Sequence, residues 1–178
     1  MVEYLLNLKV SGEKEISNKI SAIEDQIDDF TNVFYRIADD FRRTEKKKFD
    51  AEGAYDGAKK WKPLNKEYAK RKAMKKPKAK ILEYSGALKQ SLINKGDTNH
   101  ILKVEPKELR MGTKKRVDGW GLARIHHFGT KRIPARPIIE ITKQTAERWS
   151  DLLLRGIRQT LTMGAEKYKQ YVPKGRRR

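Results

Sequence analysis

"ISNKISAIEDQIDDFTNVFYRIADDF" (residues 16–41) carries the most regular pattern in the chain. Ile16, Ile20, Ile23, Ile27, Phe30, Phe34, Ile37 and Phe41 follow one another at alternating steps of four and three residues. That is a 3.5-residue period, which brings all eight side chains onto one seam of a helix. The spacing predicts a helix from about residue 13 to residue 48, long enough to cross a whole domain. A seam of this kind packs on another helix, a sheet or a neighbouring subunit. Asp25, Asp28, Asp29, Asp39 and Asp40 lie between the seam positions and read as the helix's wet face.

Working outward, "EYLLNLKV" (residues 3–10) reads as a strand that Ser11 and Gly12 end. On the other side, Gly53 and Gly57 mark a loop, and Pro63 imposes an extended approach to a short helix, Lys66–Lys75, which Asn65 can cap. Ser85 can cap a second short helix carrying Leu88 and Leu92. "HILKVEPKELRMGT" reads as two strands joined at Glu105–Lys107, "KKRVDGWG" as a polar loop, and "LARIHHFG" as one or two helical turns. Pro134 and Pro137 keep residues 130–137 extended. A last helix is expected from about Thr142 to Tyr171, with Trp149, Leu153, Ile157 and Leu161 one per turn, and with Gly156 and Gly164 letting a neighbour approach. The expected fold is α+β: two long helices and short helices packed on a small, mostly antiparallel sheet. Residues 1–172 are expected to form one domain, followed by a basic tail, residues 173–178.

Composition narrows the function. Apolar and charged residues each make up 37% of the 178 residues, a balance that suits a small core with long solvated helices, or a subunit completing its burial in an assembly. Cysteine is absent, which excludes disulfides, thiolate metal sites and cysteine nucleophiles. The apolar runs are too short for a membrane span, and Glu3 and the short apolar start argue against a signal peptide, so the protein is expected in the cytosol when made. The net charge of +19 is uneven: −4 over residues 1–56, +10 over residues 57–82 and +13 over the rest. Such a field attracts nucleic acid or acidic protein surfaces. Lys59, Lys60, Lys62, Lys75, Lys76 and the tail's Arg176, Arg177 and Arg178 are the candidate contacts. Lysine dominates, which favours contact with phosphates over reading of bases.

His126 and His127 invite a metal reading, but adjacent residues point about 100° apart on a helix and to opposite faces of a strand. Their charged neighbours Arg124, Lys131 and Arg132 repel a cation, so no metal or other cofactor is expected. "EYSGA" lacks the paired glycines of a nucleophile elbow, and "GWG" lacks the rest of a phosphate-binding loop. No catalytic residue is expected.

The order of motifs is more specific than any one of them. Trp61, Pro63 and Leu64 are followed by Lys80-Ile81-Leu82, by Ser85, Gly86 and Leu88, by Ala123, His126, Phe128 and Gly129, and by Ile133-Pro134-Ala135-Arg136-Pro137. This series resembles the phage virion morphogenesis family, the tail-completion proteins of tailed bacteriophages. Leu122, His127 and Ile138 stand where that family usually has Tyr, Gln and Phe. The resemblance implies a virion protein, not an enzyme, that completes the tail or joins it to the head. It would bind neck, tail-terminator or tail-tube proteins, as a homo-oligomeric ring. The alternative is a small basic protein that binds nucleic acid without sequence preference. In the family reading His126–Pro137 is a structural joint, with Phe128 and Ile133 buried and Arg136 paired with a carboxylate.

Overall fold

The computed structural model describes residues 29–168, with side chains through residue 159. The expected strand at residues 3–10, the seam positions Ile16–Ile27, Asp25, Asp28 and the basic tail lie outside the described residues. In chain order the elements are α1 (Thr31–Asp50), α2 (Lys66–Lys75), α3 (Ala87–Ile93), β1 (His100–Glu105), β2 (Glu108–Thr113), β3 (Arg116–Val117), β4 (Trp120–Gly121), α4 (Leu122–Phe128) and α5 (Lys143–Tyr168). The fold is α+β, with two long helices and two small antiparallel sheets.

Each helix starts for a local reason. Asp29 accepts the Thr31 N–H at 2.8 Å, and the Phe30 N–H reaches the Pro106 carbonyl at 2.8 Å, which pins the start of α1 to the β1–β2 turn. The Asn65 side chain accepts from Glu67 and Tyr68 and so caps α2. At α3 the capping position falls to Gly86, in the left-handed region, one residue after the expected Ser85. β1 and β2 pair from His100 opposite Thr113 to Glu105 opposite Glu108, with Pro106 and Lys107 between them. The stretch expected as a polar loop folds instead into the two-residue strands β3 and β4, where the turn at Asp118–Gly119 has positive φ at both residues.

α1 packs against α3, α5 and β1, while α3 also covers β1 and β2. Of the described seam, Ile37 and Phe41 are buried, Phe30 and Phe34 are half-buried, and Val33 and Ala38 join the buried face. The core continues through Phe49, Trp61, Ile81, Leu88, Leu92 and Ile138. Ser91 on α3 ties this layer to the hairpin: its hydroxyl receives Thr113 at 2.7 Å and its carbonyl faces His100 Nδ1 at 3.1 Å.

Two charged clusters modify the expected pattern. Asp40 does not lie on a wet face. It accepts from Arg148 at 3.2 Å and from Trp149 Nε1 at 2.9 Å, fastening α5 to α1. Arg148 also forks onto both oxygens of Asp56, at 2.5 and 2.8 Å, and this hydrogen bonding holds the Asp56 carboxyl below the usual carboxylate range. Farther along α1, Glu45 and Lys48 are buried as a pair, 3.1 Å apart, and Lys48 also donates to the Ile138 carbonyl at 3.0 Å. Burial pushes the Glu45 carboxyl up to about 7, against the pull of the Lys48 ammonium. Glu45 Oε2 finds no hydrogen-bond partner among the described residues.

Candidate assembly groove

The segment 129–138 is held by hydrogen bonds to main-chain oxygens. The Trp61 Nε1–H donates to the Pro137 carbonyl at 2.7 Å, while the indole edge packs on Phe49 with ring centres 5.1 Å apart. Arg136 is buried. Its Nε donates to the Lys62 carbonyl at 2.7 Å and its Nη2 to the Pro63 carbonyl at 2.8 Å. The expected carboxylate partner is therefore replaced by two peptide carbonyls. The guanidinium's fork fits two consecutive carbonyls as well as it fits a carboxylate, and the extended Lys62–Pro63 backbone turns both toward it. The Arg136 N–H closes the joint on the His126 carbonyl at 2.7 Å.

α4 ends at Gly129, with φ +75. A Cβ there would lie 2.7 Å from both the Ala135 nitrogen and the Ile133 oxygen, so only glycine lets the chain fold back this tightly. The turn leaves Phe128 72% exposed, not buried as expected, because the last residue of the short helix points off its open end. Ile133 is half-buried for a related reason: it lies along the rim of a cavity and not in the core.

That cavity, of about 450 Å³, is where the motifs meet. Leu64 comes from the first motif, Leu82 from the second, Ser85 and Leu88 from the third, and His126, Ile133 and Arg136 from the last two. Trp61, Pro63, Gly129 and Pro137 do not line it but hold the segments that do, Gly86 caps α3, and Phe128 stands outside it. Leu82 on the wall has φ +62, a conformation that costs a branched side chain about 1–2 kcal/mol and that its packing must outweigh.

Sequence reasoning missed several lining residues. Leu122 and Tyr84 carry no periodic signal, and buried Lys72 is indistinguishable from its solvated neighbours in a lysine run. The Lys72 ammonium bonds the Lys80 carbonyl; burial lowers its pKa, and Arg136 adds to that effect. Burial first, and then the Arg136 charge, also hold His126 below the usual histidine range, which favours the neutral ring. His126 Nδ1 is buried without a hydrogen-bond partner among the described residues. The candidate contact lysines Lys59, Lys60, Lys62, Lys75 and Lys76 are all exposed, whereas Arg176–Arg178 lie outside the described residues.

Among the described residues, no group of three His, Asp or Glu is placed to hold a metal ion, and no helix is long and apolar enough to cross a membrane. The groove offers apolar walls and hydrogen-bonding cations, which suit the docking of another chain.

Residues 12–158 match the phage virion morphogenesis family, and the chain belongs to that family. It is also 39% identical over 83 residues to an uncharacterized protein of Methanocaldococcus jannaschii, an alignment that covers 46% of this chain and 55% of that protein. The chain thus spans about half the length of this relative. No solved structure matches it.

Proposed function

We propose that this chain is a non-catalytic structural subunit that completes the phage tail or joins tail to head, acting as one member of a homo-oligomeric ring. The observation that carries the reading is the convergence of the ordered motifs on one groove. Its supporting contacts are packing and main-chain hydrogen bonds, as in an element built to hold a docking surface in shape. The single domain of residues 1–172 would contact neck, tail-terminator or tail-tube proteins, in the virion and beforehand in the host cytoplasm. The test is mass photometry of the full chain, alone and with candidate neck, tail-terminator and tail-tube proteins. A closed oligomer of fixed stoichiometry, alone or in the mixture, is expected; a monomer in every mixture overturns the reading.

The exposed lysines of residues 57–82 favour a second reading, non-specific contact with DNA, aided by the tail Arg176–Arg178. Such binding falls steeply with salt, because each neutralised phosphate releases a counterion. It is also nearly equal for unrelated duplexes. A salt titration on scrambled and phage-derived duplexes tests it. A preference above about a hundredfold, well into the range of sequence-specific binders, would mean base reading and would displace the structural role.

A further inference from the structure

The groove and the start of the chain are complementary in charge and in apolar pattern. On the groove side the walls are apolar at Leu64, Leu82, Leu88 and Leu122, and the charged side chains that line it are cationic, with Arg132 the exposed one. Lys72, Arg132 and Arg136 line the cavity, and neither Asp nor Glu does. On the other side, residues 1–28 hold six carboxylates against three lysines in a chain whose net charge is otherwise strongly positive. Within them Ile16, Ile20, Ile23 and Ile27 recur at helical spacing, with Glu24, Asp25 and Asp28 interleaved. A short isoleucine stripe with neighbouring carboxylates is the chemistry that an apolar groove with a cationic rim accepts.

The position at which the described chain begins indicates which copy supplies the stripe. Phe30 is held on Pro106 at the hairpin tip, at the start of α1. The groove adjoins the opposite end of that helix, where Lys80 donates to the Asp50 carbonyl and the Ile81 N–H to Glu52, next to Leu82. The 20 residues of α1 separate the two ends by about 30 Å. A segment leaving from the far end is better placed to meet another molecule's groove than its own.

We propose that the groove receives residues 16–28 of a second copy of this chain, isoleucines against the apolar walls and a carboxylate of Glu24, Asp25 or Asp28 against the exposed Arg132. This rests on the oligomeric reading above and assigns the contact that propagates it. Each copy would offer one groove and one acidic segment, a head-to-tail arrangement that closes into a ring when the rotation permits.

The experiment places a photo-crosslinking benzoylphenylalanine at Tyr84, a groove residue 46% exposed, in the full chain, and mixes isotopically heavy and light copies before irradiation. Mass photometry of the same sample reports whether an oligomer forms. The expected result is an oligomer whose crosslinks join Tyr84 to residues 16–28, half of them between heavy and light copies. If the oligomer forms and the crosslinks lie within one copy, reach another segment or fall on a neighbouring virion protein, this proposal is overturned while the ring stands. If no oligomer forms alone or with neighbours, both fall. A charge exchange gives a second readout: Arg132→Glu and Asp25→Arg each weaken self-association about tenfold, and the double variant recovers it, with unchanged thermal melts. Failure of the double variant to recover counts against the pairing.

Discussion

Trp61 and Pro137, 76 residues apart in the chain, are joined by a 2.7 Å hydrogen bond from the indole N–H to a main-chain oxygen. The same indole packs edge-on against Phe49, so one side chain fastens the extended 134–138 segment to the C-terminal end of α1. Trp61→Phe keeps most of the packing and strands the Pro137 carbonyl. The expected loss is about 1–3 kcal/mol, read from urea unfolding. Trp61→Ala adds the cavity and is expected to lose about 3–5 kcal/mol. If Trp61→Phe matches the wild type, the hydrogen bond contributes nothing to the joint.

Arg136→Lys tests the fork. A lysine retains the charge but cannot reach two carbonyls in one plane, so one of the Lys62 and Pro63 oxygens loses its donor. A loss of about 2 kcal/mol is expected, whereas the same change at exposed Arg132 should leave unfolding within about 0.5 kcal/mol of wild type. Equal effects at the two positions would refute the role given to Arg136.

Two glycines with nearly the same φ differ in what an added side chain would meet. Gly129 has φ +75 and Gly119 φ +79, but only at Gly129 would a Cβ strike neighbouring backbone; nothing lies within 4 Å of one at Gly119. Gly119→Ala should cost about 1–2 kcal/mol, the left-handed penalty alone. Gly129→Ala should cost clearly more, and either lower the melting temperature further or prevent folding. Similar melting temperatures for the two variants would remove the case for a steric requirement at Gly129.

The buried Glu45 makes stability depend on pH. Its carboxyl is raised to about 7 in the fold and returns toward 4.5 on unfolding, so the folded state binds the extra proton between those values. Its contribution is complete below about pH 4.5 and is lost as pH rises through 7, by up to about 3 kcal/mol. His126 acts in the opposite sense: its lowered pKa adds stability above the ordinary histidine range, which is lost as pH falls. The informative quantity is therefore the difference between wild type and Glu45→Gln, in which the His126 term cancels. Unfolding from pH 5 to pH 8 should show the wild type losing ground to the variant as pH rises; parallel curves would exclude the raised carboxyl.

What the sequence revealed and what it hid follow from the range of the interactions. Asn65, the Glu105–Lys107 turn and the short helix after Gly121 were legible because their causes lie within a few residues. The 3.5 period identified Ile37 and Phe41 as core but not the burial of Arg42, Glu45 and Lys48 on the same helix. A lysine that will bond a carbonyl 90 residues away has the same local context as one that stays in water. Arg136 drew notice because two prolines hold its segment rigid, yet its partner was misjudged: peptide oxygens occur at every residue and leave no signature in residue type. Phe128 was misplaced by its hydrophobicity, which cannot tell whether the end of a short helix faces in or out.

The burial of Lys48 and Lys72, at 1% and 4% exposure, has a practical consequence in a chain with 42 lysines and arginines. Amine-acylating reagents and trypsin act readily on exposed Lys46, Lys47, Lys70 and Lys75, while these two amines are shielded until the joint opens. Their rate of acetylation, followed peptide by peptide, reports local opening beneath the groove separately from fraying elsewhere. A partner seated in the groove would slow the reaction at Lys72 more than at Lys48, since only Lys72 lines the cavity. The chain's own lysines thus serve as a position-resolved footprint of assembly, with no residue introduced for the purpose.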